Sequence, residues 1–150
     1  MERIKLVIDN SVLDEYNKFY FGRYRKRRKA PIVQPTHPSL NKWMIMSRVM
    51  ANDLKGKWKD FIVWFVEKNK MTNKKINKCS MMFIYYFKTK IRKDIDNLTP
   101  KFILDGFVQS GLLIDDDSFH MSSLTMKVGY DKNNPRTEIY INVMEEEDNA

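Results

Sequence analysis

One cysteine, two histidines and no apolar run approaching the ~20 residues of a membrane span narrow what this 150-residue chain can be. A lone Cys79 excludes a disulfide framework within the chain and suits a reducing compartment. It lies between polar INK and apolar MMFIYYF, so a packed thiol is expected rather than a nucleophile. So little Cys and His fits zinc poorly; His37, in a proline-rich loop, and His120, after DDDSF, are expected at the surface. The opening MERIKLVIDN lacks the apolar core of a secretory leader, and no internal repeat is visible. The expectation is a soluble, cytoplasmic, single-domain protein without a membrane partner.

What the chain does have is material for a core and an uneven charge. Its hydrophobic content is 43%, enough for a packed interior. The formal charge is +8, but residues 1–93 hold 23 Lys/Arg against 7 Asp/Glu, whereas residues 94–150 hold 4 against 12. A polyanion suits the basic part, because Lys and Arg displace counterions condensed on phosphates; an anionic membrane surface or solvated charge would also suit it. None of these explains the acidic part.

Along the chain, RIKLVI alternates as a strand does. Residues 10–35 then form a basic and aromatic segment. Within it Tyr16, Phe19, Tyr20, Phe21 and Tyr24 interleave with Arg23, Arg25, Lys26, Arg27, Arg28 and Lys29. Two readings stand: aromatics that stack on bases beside phosphate-binding cations, or a solvated basic loop whose aromatics pack on the core. Pro31, Pro35 and Pro38 make the following stretch extended. From Asn41 to about Lys68, a stripe from Met46, Val49 and Met50 to Trp58, Ile62 and Phe65 predicts one core-facing helix, which Gly56 bends or splits. Residues 68–78 read as a loop. SMMFIYYFK reads as a central strand covered on both faces. Thr99, Pro100 and Gly111 are start and stop signals for a helix from about Pro100 to Ser110. Residues 124–130 and 139–143, alternating on either side of DKNNP, read as an antiparallel hairpin. The acidic end, about 144–150, reads as a tail. The fold class expected is α+β, a mixed sheet flanked by two helices.

Six of the nineteen acidic residues crowd into residues 93–118. If DIDN stays extended, Asp94 and Asp96 share one face. An eleven-residue helix spans only ~16 Å, and a reversal at Gly111 can bring Asp115, Asp116 and Asp117 back toward that pair. Converging carboxylates repel one another unless a cation offsets them. Mg²⁺ takes one or two carboxylates plus substrate phosphate, which beside a polyanion-binding surface points to metal-assisted phosphodiester hydrolysis. An EF-hand does not fit, since Leu98 and Thr99 stand where a ligand and a glycine are needed. Solvated loop carboxylates on a non-catalytic nucleic-acid-binding module are the alternative.

The order DIDN, a lysine, LDG, a glycine and a DD pair resembles the RusA-type Holliday junction resolvases, many of them carried by phages and prophages. SLNKW, Ser39 to Trp43, is similar to the Pro-Ser-Leu-Asn stretch of that family, and the resemblance covers about residues 36–143. It implies a homodimeric Mg²⁺-dependent endodeoxyribonuclease, with Mn²⁺ as a substitute and no small-molecule cofactor, that resolves four-way junctions and other branched DNA by paired cuts. The implied catalytic and metal-binding carboxylates are Asp94, Asp96 and Asp116. Lys101 is the implied catalytic cation, although three residues separate it from DIDN where the family has two. Its alternative role is a helix-surface pair with Asp105, four residues on. The implied DNA-binding cations are Arg23, Arg25, Lys26, Arg27, Arg28 and Lys29, with Lys90, Arg92 and Lys93. The segment from Tyr16 to Lys29 has no evident counterpart in the family and reads as an added DNA-contacting arm.

Overall fold

The computed structural model describes residues 2–144, so the acidic tail expected at about 144–150 lies, Met144 apart, outside the described residues. Strand β1 (Glu2–Asp9) buries Ile4, Leu6 and Ile8 on one face, as its alternation predicts. Asp9 then ends the strand and starts a helix: its carboxylate accepts from the Val12 N–H at 2.9 Å. The helix, α1 (Asn10–Arg23), occupies the first part of the basic and aromatic segment, for which neither sequence reading specified a helix. It forms because Leu13, Tyr16 and Tyr20, spaced three and four apart, share a face and bury it. Tyr16 packs its ring 5.0 Å from Phe61 and 5.1 Å from Trp64. Tyr16 and Tyr20 therefore belong to the core, while Phe19 and Tyr24 remain exposed.

The single helix expected from Asn41 to Lys68 is two: α2 (Leu40–Met44) and α3 (Arg48–Lys68). The break falls at Ser47, whose hydroxyl accepts from the Met50 N–H at 3.2 Å and starts α3 anew; Gly56 passes inside α3 without ending it. Trp58, Phe61, Ile62 and Phe65 are buried as the stripe predicts, but Val49 and Met50 are 80% and 60% exposed. Strand β2 (Cys79–Phe87) buries Cys79, Met81, Phe83 and Tyr85 on one face only. Its other face is half-covered, so the expectation of cover on both sides does not hold. Cys79 is a packed thiol whose pKa burial pushes up to about 11.

Helix α4 (Lys101–Gln109) turns Phe102, Ile103 and Phe107 inward and lies on α3. The two approach so closely at Gly106 that a Cβ there would stand 2.5 Å from Ile62. Gly111, at φ 78°, reverses the chain where the stop signal predicts. Strands β3 (Met121–Tyr130) and β4 (Arg136–Val143) complete a mixed sheet of order β1-β4-β2-β3.

β3 and β4 are not a hairpin. β3 pairs parallel with β2 on one side, and β4 pairs antiparallel with β2 on the other. The connecting turn strides across the end of β2, where the Asp131 N–H donates to the Phe87 carbonyl at 2.9 Å. Arg136 secures that crossing: it pairs with Asp131 at 2.8 Å and stacks 3.9 Å from the Tyr86 ring. The α+β class and mixed sheet agree with the sequence reading, while the helices outnumber the two expected. None among the described residues is long and apolar enough to cross a membrane.

Candidate active site

β2 and β3 run parallel, so the chain must cross over between them, and the acidic residues lie along that crossover. It leaves the carboxyl end of β2 through the basic segment from Lys88 to Lys93 and makes a short 3-10 turn, Ile95–Asn97. It then enters α4. Asp94 stands at the start of the turn and Asp96 within it. DIDN is thus not extended, and strand alternation does not place these carboxylates on one face. The turn forms because the Asp94 carbonyl accepts from the Asn97 N–H at 3.0 Å and the Ile95 carbonyl from the Leu98 N–H at 3.1 Å. Both carboxylates are exposed, and neither has a hydrogen-bond or ion-pair partner among the described residues.

Two contacts with the upstream segment brace this turn and the helix that follows it. The Asn97 side-chain oxygen accepts from the Asn41 N–H at 2.8 Å, tying DIDN to the start of α2, where Ser39 caps the helix. His37, expected at the surface, is buried: its Nε2 accepts from the Phe102 N–H at 2.9 Å, and Nδ1 lies 2.7 Å from the Pro38 carbonyl. It thereby satisfies a free donor in the first turn of α4. The polar character of a proline-flanked histidine gave no sign of this. For Asn97 the signal was present, because SLN and DIDN are the two strings that marked the resemblance.

The second acidic group sits in the loop before β3. Asp115 accepts from the Asp116 N–H at 2.7 Å. Asp117 accepts from the Phe119 N–H at 3.0 Å and pairs with His120 at 2.6 Å; the bond from His120 foremost holds its pKa below the usual range. His120 is accordingly half-buried rather than free at the surface. Asp116 differs. Partial burial, then its bond with Asp115, raises its pKa, and the Lys101 ammonium opposes the rise. Asp116 is thus within electrostatic reach of Lys101 and Asp105. Lys101 Nζ lies 3.2 Å from Asp105 Oδ1, and Lys55 of α3 approaches Asp105 Oδ2 at 3.8 Å.

Lys101 and Asp105 are thus paired on α4 with Asp116 in reach of their charge, and Asp94 and Asp96 lie on the turn just before the same helix; that turn lies against β3. Among the described residues no three His, Cys, Asp or Glu side chains are gathered closely enough to hold a metal ion. In kind the donors suit a hard divalent cation: two uncommitted carboxylates, and a third whose raised pKa reflects burial and acidic neighbours that a cation would offset.

The cations divide. Arg23 ends α1, and residues 25–29 follow in an exposed turn; none of the six pairs with an acid among the described residues. Lys90 and Lys93 lie over the Tyr130 and Phe87 rings at 5.5 and 4.5 Å, and Arg92 is exposed beside them. The last two line a recess of about 380 Å³ that also takes in Lys42, Asp94 and Asn97.

A search of curated proteins returns no match. The family model described as Endodeoxyribonuclease RusA matches residues 22–142. The match begins upstream of the motifs; it takes in the cations from Arg23 to Lys29 and leaves out Tyr16 to Phe21. With the match extending over most of the chain, and the acidic crossover lying inside it, this chain belongs to the RusA endodeoxyribonuclease family.

Proposed function

We propose that the protein is a Mg²⁺-dependent, structure-selective endodeoxyribonuclease that resolves Holliday junctions and other branched DNA by paired phosphodiester hydrolysis. The observation that carries this reading is the partly buried Asp116 carboxylate within electrostatic reach of Lys101, which opens the helix that follows the turn presenting Asp94 and Asp96. Asp94, Asp96 and Asp116, not gathered around one point among the described residues, would have to draw together to hold the Mg²⁺, with Mn²⁺ as a substitute. When bound, that ion supplies Lewis acidity and a water of lowered pKa. Lys101 sets its ammonium against charge developing on the scissile phosphate, and Asp105, by holding Lys101 at 3.2 Å, orients it. The cations at Arg23, Arg25, Lys26, Arg27, Arg28 and Lys29, and at Lys90, Arg92 and Lys93, bind phosphates and orient the branch.

One chain carries one such set of acids, while a four-way junction needs two cuts of matching polarity, so the working unit is a homodimer. Exposed apolar residues at the corner of α2 and α3, Met44, Ile45, Val49 and Met50, offer surface for pairing. A cytoplasmic site of action accords with the buried, unpaired Cys79.

The rival is a binding module without chemistry, and one observation favours it: Lys101 already has a partner in Asp105. Incubating the purified protein with an end-labelled four-way junction, with and without Mg²⁺, decides between them. Paired nicks that require the metal support the nuclease. Retention of the junction with no nicking at saturating Mg²⁺ or Mn²⁺ supports the module.

A further inference from the structure

Beside the acidic turn, the surface is not flat. The recess next to Asp94 continues into a second one of about 330 Å³, and the two share Gln34, Thr36, Phe87 and Lys93. They form one groove between the extended loop at 33–39 and the segment leaving β2. It lies at the carboxyl end of an interior strand, where open α/β sheets place their ligands. Its far end carries Lys88, its middle Lys93, and its near end Lys42 and Arg92, next to Asp94. Lys93 is held 4.5 Å from the Phe87 ring, so this cation is ordered in advance. Asp94 is the one acidic residue on the lining.

We propose that this groove binds an unpaired strand of DNA at the branch point and leads its backbone to Asp94. The inference rests on the nuclease reading and adds the substrate element that the site grips. Cations along the groove match a phosphodiester repeat, and the exposed Gln34 on the lining offers an amide to base edges. Each recess is of the ~300–1,000 Å³ size that admits a small ligand, not a helix. Duplex DNA, stiff over ~150 base pairs, cannot bend into it, whereas a single strand can.

The test uses thiol protection in metal-free buffer, so that binding is read without cleavage. Native Cys79 is buried and its thiol pKa is raised, so it does not compete for reagent. Gln34→Cys puts a reactive thiol in the groove, and Thr125→Cys puts one on the exposed strand β3, which is not part of the groove lining. The probes are an oligothymidylate strand and a blunt duplex of equal length. The expected result is at least tenfold slower maleimide labelling of Gln34→Cys under the single strand, with less than twofold change under the duplex. Thr125→Cys should label at the same rate throughout. No protection at saturating oligothymidylate, equal protection by the duplex, or equal protection of Thr125→Cys overturns the proposal. Junction cleavage with Mg²⁺ is scored separately: protection without cleavage drops the nuclease reading and keeps the groove.

Discussion

The Asn41 N–H donates to the side-chain oxygen of Asn97 at 2.8 Å, joining the start of α2 to the turn that carries Asp94 and Asp96. The two residues lie far apart in sequence, and the turn has no side-chain cap of its own. This bond is one of the contacts that tie an exposed turn to the body of the protein. Losing one such hydrogen bond costs ~1 kcal/mol of stability, a small fraction of a domain's total. Its effect on two carboxylates that must meet one ion should be larger than its effect on the fold. Asn97→Ala is expected to lower the cleavage rate tenfold or more and to raise the Mg²⁺ concentration at half-maximal rate, with only a few degrees lost in Tm. Asn97→Asp, which keeps the acceptor, should recover the Mg²⁺ midpoint. A Mg²⁺ titration of junction cleavage checks both, and an unchanged midpoint in Asn97→Ala would assign the bond to structure alone.

Asp94→Asn, Asp96→Asn and Asp116→Asn are each expected to abolish cleavage while leaving junction affinity equal or tighter, since each removes both a ligand and a repulsion toward phosphate. Asp116 adds a stability signature. Its folded pKa is raised, so the folded state holds a proton that the unfolded chain has released, and stability falls as pH rises from the unfolded value through the folded one. At neutral pH, Asp116→Asn should therefore unfold at a temperature no lower than wild type. A variant that cuts at wild-type rate in saturating Mg²⁺ removes its residue from the ligand set.

How far these features could be read from the sequence depends on what kind of information each needs. Alternation in β1 and the Thr99, Pro100 and Gly111 signals around α4 are local, and they placed those elements well. Helix α1 was hidden because Leu13, Tyr16 and Tyr20 are embedded among charged residues, and the cations that follow drew the reading toward a loop. Alternation in β3 and β4 determines which faces are apolar but not which strand is the partner. The crossing over the end of β2 thus looked like a hairpin. Asp94, Asp96 and Asp116 were visible as types in a pattern, whereas the turn that presents the first two is tied down by Asn41, a contact no local rule contains. The burial of His37 is hidden for the same reason: its partner, Phe102, is distant in sequence.

Lys101 is pulled two ways, by Asp105 at 3.2 Å and by the reach of its charge to Asp116. If it acts on the scissile phosphate, Lys101→Ala should lower the single-turnover rate by a factor of 10² or more, with little change in affinity or Tm. A purely surface i,i+4 pair contributes only ~0.3–0.5 kcal/mol and predicts a rate within about twofold of wild type. The pH profile gives a second reading. Lys101 lowers the Asp116 pKa, so removing it lets that pKa rise, and the acidic limb of the residual activity should move to higher pH. An unmoved limb would mean that the two do not interact in the working enzyme.

The cations at 23 and 25–29 have no acidic partners among the described residues, which leaves them free for phosphates. Each phosphate neutralised contributes about −0.9 to the slope of log K against log[salt] on duplex DNA. Replacing Arg23, Arg25, Lys26, Arg27, Arg28 and Lys29 with Gln should therefore flatten the slope for a junction by several units and weaken binding most at low salt. Because these side chains are exposed, Tm should hardly change. An unchanged slope would make the run a bystander.

His37 supplies a pH dependence that belongs to the fold rather than to the chemistry. Its ring is enclosed by Trp58 and Phe102 at 5.5 and 4.8 Å, and burial lowers its pKa from 6.5 to about 4, against smaller upward pulls from the Pro38 carbonyl and the more distant Asp105. The bound geometry needs the neutral ring, with Nε2 free to accept from the Phe102 N–H; a proton there would set donor against donor. Between about pH 4 and 6.5 the unfolded chain takes up a proton that the folded protein declines, so stability rises with pH across that window. The contribution is complete above pH 6.5 and is lost on acidification toward 4, an effect on the order of 3 kcal/mol. Urea unfolding at a series of pH values should show this slope in wild type. His37→Gln, which cannot titrate, should be less stable at pH 7.5 but flatter between pH 6.5 and 4.5, where the carboxylates contribute equally to both proteins. Parallel curves for the two proteins would place the acid sensitivity elsewhere.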